Sequence, residues 1–217
     1  MKRKFSIAAA MIAGMLMLFP LAGRAMDMTK PAKTSYTKSE LDLRNAMRQL
    51  WEDHIIYTRG FIVSSLGDLP DAGPAAERLL RNQDDIGNAI IPFYGEEAGK
   101  KLAALLRDHI LIAADIVKAA KAGDNAGVAE GQKRWNKNAD DIAVFLSGAN
   151  PKNWPLQDLK NMLYVHLALT TTEVVSRIQK DWAADIAAYD KGHAHMLMFA
   201  DMLSEGIVKQ FPAKFRQ

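Results

Sequence analysis

Histidine occurs five times in this chain of 217 residues, and each occurrence falls on or beside the apolar stripe of a helix-forming segment. Three of them open related phrases: His54-Ile-Ile-Tyr-Thr-Arg, His109-Ile-Leu-Ile-Ala-Ala and His166-Leu-Ala-Leu-Thr-Thr, spaced 55 and 57 residues apart. Between them a second phrase recurs after 56 residues, Asn82-Gln-Asp-Asp-Ile86 and Asn138-Ala-Asp-Asp-Ile142. Neutral imidazole is a ligand for Zn, Cu, Ni or Fe, and carboxylates complete a mixed nitrogen and oxygen shell. His54, Asp85, His109, Asp141, His166, His193 and His195 are therefore the candidate metal ligands. Asn82, Asn138 and Tyr189 are candidates for holding a small polar ligand.

Positioning these side chains requires helices. Thr37-Lys-Ser-Glu40 has the form of a capping box, and Leu43, Met47, Leu50, His54, Thr58, Phe61 and Ile62 then follow the helical period. Gly67 to Pro74 is dense in turn residues, and Pro74 suits a helix opening. The second helix is expected to end before Pro92. A third runs from Gly95 to Ala122, stopped by Gly123, and a fourth to about Ser147. Asn153-Trp-Pro155 starts a fifth. The turn into the sixth falls near Gln179 to Asp181, with one long helix broken at Gly192 as the alternative. No run alternates as a strand would. The expectation is an all-α antiparallel bundle of about six helices built from repeated hairpins, or a four-helix core with an added pair.

Counting from each turn brings His54 level with Asp85, His109 with Asn138 and Asp141, and His166 with His193 or His195. The result is an interior polar layer about 20 Å from the turns, at 1.5 Å of rise per residue. His193-Ala-His195 is a weak chelator, because residues two apart on a helix diverge by about 200°. A layer of this kind also has a structural reading, in which imidazole and amide satisfy one another and fix the register of the hairpins. Trp51, Trp135, Trp154 and Trp182 read as packing residues, and the methionines as core filler.

Composition narrows the function classes. Residues 1–25 have the layout of a secretory signal peptide: a basic start at Lys2, Arg3 and Lys4, an apolar stretch, and small residues at Gly23 and Ala25. The alternative is an uncleaved anchor, for which the apolar core is short. Cleavage would remove Lys2, Arg3, Lys4 and Arg24 and no acid, taking the formal charge from +3 to −1. A polar lead, 26–36, would then precede a helical domain spanning 37–212. That implies export to a periplasmic or extracellular space, with no membrane span left after cleavage. Without a dense basic run, nucleic acid is not an expected partner. Without cysteine, disulfides, thiolate metal sites and covalent haem are excluded. No Glu-x-x-His, His-Glu-x-x-His, Gly-x-Ser-x-Gly or phosphate-binding loop appears, so no catalytic residue is assigned and the chain reads more as a binder than an enzyme, with acid–base catalysis by a His–Asp pair as the lesser alternative.

Several segments carry a family resemblance: Trp51-Glu-Asp-His-Ile-Ile-Tyr-Thr-Arg59, Asp85-Ile-Gly-Asn-Ala-Ile-Ile-Pro-Phe-Tyr-Gly95, Asp181-Trp-Ala-Ala-Asp-Ile-Ala-Ala-Tyr-Asp190 and Glu205-Gly-Ile-Val-Lys-Gln-Phe-Pro212. Across residues 40–212 the chain resembles a little-characterised family of exported, all-helical bacterial proteins. The resemblance implies the fold and brings no activity or site residue with it.

Overall fold

The computed structural model describes residues 35–216, and the signal-peptide and lead assignments fall almost wholly outside them. Six α-helices fill this span: α1 (Lys38–Leu66), α2 (Ala72–Tyr94), α3 (Glu96–Ala122), α4 (Asn125–Ala149), α5 (Leu156–Ile178) and α6 (Trp182–Gln210). A 3-10 turn, Pro212–Phe215, follows. Among the described residues there is no strand, and no helix is long and apolar enough to cross a membrane.

Local chemistry sets the boundaries. The α1 capping box forms: the Thr37 oxygen accepts from the Glu40 amide at 3.2 Å, and the Glu40 carboxylate accepts from the Thr37 amide at 2.9 Å. Asp124 and Asp181 cap α4 and α6 by accepting from the amides of Gly127 and Ala184. Gly123 ends α3 in the left-handed region at φ 70°, and Lys180 takes the corresponding conformation after α5 at φ 61°. Helix α6 runs through Gly192 without a break.

One expected boundary is wrong. Helix α2 does not stop before Pro92 but continues to Tyr94. Proline forfeits one backbone hydrogen bond there, and packing holds the last turn regardless. Phe93 stacks on Phe215 at 5.8 Å and lies 5.8 Å from Phe211, while Tyr94 lies 5.6 Å from Trp154.

Each helix packs against its neighbours in the chain, and α6 returns to pack against α1. The core runs through all six, with Trp51, Ile86, Leu106, Trp135, Ile142, Leu163 and Phe199 buried in one cluster. Burying each such side chain stabilises the fold by roughly 1.5–3 kcal/mol. The turn between α4 and α5 is locked to α6: Asn150 Nδ2 donates to the Gly206 carbonyl at 2.9 Å, and the Trp154 indole donates to Met202 at 3.3 Å. A side chain at Gly206 would overlap that indole.

The α1–α6 seam has a different character. Arg44 and Arg48 bind Asp201, Glu52 meets His193, and Arg59 binds Asp185, so ionisable pairs recur along its length.

Candidate functional site

The three hairpins α1/α2, α3/α4 and α5/α6 each carry one buried histidine on the first helix, and these three rings gather in the interior. His54, His109 and His166 are only 2–3% exposed. The His166 ring centroid lies 5.6 Å from that of His54 and 5.9 Å from that of His109. Trp51 covers His54 at 5.6 Å, and Trp135 covers His109 at 5.1 Å.

A side chain from the second helix clamps each hairpin at the same relative place. Asn82 Nδ2 donates to the Leu50 carbonyl at 2.9 Å, Asn138 Nδ2 to Leu105 at 3.0 Å, and His195 Nε2 to Met162 at 2.8 Å. Each accepting carbonyl belongs to the residue four before the buried histidine, one helical turn away. In the third hairpin imidazole does the work of the amide.

Hydrogen bonding fixes the tautomer of His109. Because Asn138 spends its amide hydrogens on Leu105, its Oδ1 accepts from His109 Nδ1 at 2.8 Å, which leaves His109 Nε2 as a bare lone pair. Gln83 Nε2 donates to Leu79 at 2.7 Å and to Asn82 Oδ1 at 3.2 Å, and faces His54 Nδ1 at 3.4 Å. Of the ring nitrogens in this cluster, His166 Nδ1 is buried without a hydrogen-bond partner. The Gln83 carbonyl oxygen is likewise buried without a partner.

Burial holds the rings neutral. It pushes His54 down to about 3, with the nearby His109 adding to the effect. It pushes His109 down to about 4 and His166 well below its ordinary value, where His54, His109 and His195 also act. No carboxylate offsets these shifts.

The expected carboxylates stand elsewhere. Asp85 is half-exposed, 3.9 Å from Arg78, and Asp141 pairs with Lys137 on the surface of α4. The inward face of α2 is Leu79, Asn82, Gln83, Ile86 and Ile90, and that of α4 is Trp135, Asn138, Ala139, Ile142 and Leu146. A residue three beyond the asparagine lags by about 60° and turns out of this face, where a carboxylate keeps its hydration. His54 therefore meets Gln83 rather than Asp85, and His109 meets Asn138 without Asp141. His166 meets the other two rings rather than His193 or His195. His193 lies toward the surface, 3.0 Å from Glu52. Tyr189 stays out of the layer, between the Arg59 guanidinium at 5.4 Å and the His193 ring at 6.2 Å. The structure thus brings together His54, His109, His166, Asn82 and Asn138, with His195 one contact away.

Sequence reasoning missed Gln83 and a second polar cluster. Arg59 binds both Glu173, at 2.8 Å, and Asp185, while Arg177 reaches Asp185 at 3.0 Å. Glu173 stands seven residues after His166 on the same stripe, and that charge amid apolar residues was the available clue. Burial raises the Glu173 carboxyl above its usual range despite Arg59. Burial pulls Asp185 the same way, but the two arginines overcome it and hold it low.

Among the described residues, no group of three or more His, Asp or Glu side chains is arranged, as it stands, to hold a metal ion. The nearby cavity lined by Met47, Trp51, Ile86, Leu106, Ile142 and Leu203 is apolar and holds about 10 Å³, too little for an organic ligand.

Fold and site together define an all-α bundle with a core of neutral imidazoles. Compared with known proteins, the chain matches no family model, no curated protein and no solved structure.

Proposed function

We propose that this is an exported helical-bundle protein, built from three repeats of one hairpin, that binds a transition metal ion or a small polar ligand at the His54–His109–His166 layer. One observation carries the reading: His166 Nδ1, in the middle of this layer, is buried without a protein hydrogen-bond partner. Buried polar atoms are ordinarily satisfied, and an occupant of the layer would satisfy this one. Neutral imidazole is also the form that coordinates metal, so no proton competes at neutral pH.

The chemistry of the layer narrows the occupant. With no carboxylate in the shell, a divalent ion would bring an uncompensated double charge into the core. A singly charged ion such as Cu(I), bound by two or three imidazoles after small ring rotations, suits the donor set better than Zn²⁺. The small space favours an ion or a water-sized molecule over a larger guest. Periplasmic or extracellular placement follows from the signal-like residues 1–25.

Metal analysis of protein purified without a histidine tag tests the metal form. Stoichiometric metal is expected, lost in the His109→Ala, His166→Ala double variant while the helical signal persists. Protein that stays metal-free after incubation with Cu(I), Zn²⁺, Ni²⁺ and Fe²⁺ would sink that form. A structural layer is the second reading, favoured by the amide contacts that His54 and His109 already make.

A further inference from the structure

The residue after each clamp follows the hairpin repeat as well. Asn82, Asn138 and His195 close the three hairpins on equivalent carbonyls, and the next residues in the chain are Gln83, Ala139 and Met196. All three point inward, being 0%, 1% and 2% exposed. In the first hairpin this position reaches the layer, since Gln83 Nε2 lies 3.4 Å from His54 Nδ1. That nitrogen also donates to the Leu79 carbonyl and to Asn82 Oδ1, and Asn82 is itself oriented by its donation to Leu50. Reversing the Gln83 amide would set its oxygen against two oxygens, so the network fixes Oε1 as the end without a partner.

Five buried side-chain nitrogens and oxygens among the described residues lack a hydrogen-bond partner. Those of Trp51, Trp135 and Arg78 are N–H donors, which a cation cannot use. The other two, Gln83 Oε1 and His166 Nδ1, can offer lone pairs, and both belong to the layer. The repeat sets Met196 on α6 where Gln83 stands on α2, and a thioether sulfur offers lone pairs too.

We propose, resting on the metal-binding reading above, that the position after the clamp supplies further donors to the ion, the Met196 thioether and the Gln83 carbonyl oxygen, and that the sulfur makes the layer selective for Cu(I). Thioether and imidazole suit Cu(I), and both are neutral, so the core has a single positive charge to hold. A carbonyl oxygen is too hard to bind Cu(I) strongly and serves as a weak contact, a place that Gln or Met takes in copper sites generally. Ala139 brings only a methyl group, so the second hairpin offers His109 alone.

Anaerobic titration of the full chain with Cu(I), in competition with a chromogenic Cu(I) chelator, reads the affinity. Met196→Leu conserves core volume and is expected to weaken Cu(I) binding by about 10-fold or more. Gln83→Met sets a second thioether at the equivalent position and is expected to tighten binding by a similar factor. Positions that only pack would leave the first affinity unchanged and make the second no tighter. X-ray absorption at the copper edge of the loaded, unaltered chain is expected to show sulfur in the shell, and it decides alone should a variant not fold. A shell of nitrogen and oxygen only, or equal affinity in Met196→Leu, overturns the proposal while leaving the metal site standing. A chain that takes up no Cu(I) at all removes both.

Discussion

Two buried polar regions of this bundle handle their polarity in opposite ways. Around Arg59, Glu173, Asp185 and Arg177 the groups are charged, and each charge has a partner of opposite sign. Around His54, His109 and His166 the groups are neutral, and His166 Nδ1 is buried with no protein partner. The first region is costly to break, because removing one member strands the others. The second carries no charge at neutral pH and becomes far costlier once a proton arrives. Acid should therefore reach them in sequence: the imidazole layer fails below about pH 6.5, whereas Asp185, held low by its arginines, keeps its contribution until the pH falls through its depressed value.

Substitutions sharpen the contrast. Arg59→Met leaves two buried carboxylates short of their main cation and should cost about 3 kcal/mol or more in urea unfolding at pH 7. A cost below 1 kcal/mol would mean that the charged cluster is not a desolvated one. Asn138→Ala removes the acceptor of His109 Nδ1–H and the clamp on Leu105 together, with an expected loss of about 2 kcal/mol in the same assay. With both proteins held metal-free in EDTA, His166→Leu should lie within about 1 kcal/mol of the unaltered protein at pH 7, since it removes a buried nitrogen that no side chain satisfies. A loss above 3 kcal/mol on thermal unfolding would indicate that this nitrogen does have a partner, supplied by water.

Six helices were legible because their ends carry chemistry: the Thr37 box, the Gly123 stop, the turn-rich Gly67 to Pro74. The turn at Gln179 to Asp181 was harder, since Lys180 adopts a left-handed conformation that sequence associates with glycine. Around the layer, His109 with Asn138 could be found by counting from the turn, whereas Asp85 and Asp141 could not be excluded that way. Height along a helix follows from a fixed rise, but direction depends on which stripe the neighbouring helices bury. An offset of about 60° separated an amide in the core from a carboxylate in water. The gathering of His166 with the other two rings depended on how separate hairpins dock, which no local pattern records.

The laced seam between α1 and α6 bears on how the chain folds. The other large interfaces join helices adjacent in sequence, so they form from short loops at low entropic cost. The seam alone among these joins residues far apart, from 126 positions between Arg59 and Asp185 to 157 between Arg44 and Asp201. Closing a loop of that length carries an entropic penalty of roughly 4 kcal/mol beyond a constant, recovered only when the whole seam zips. The pairs of Arg44 and Arg48 with Asp201 and of Arg59 with Asp185 then fasten the two helices along their length. The contact that turns a string of hairpins into a closed bundle is thus the one fastened by ion pairs between distant parts of the chain.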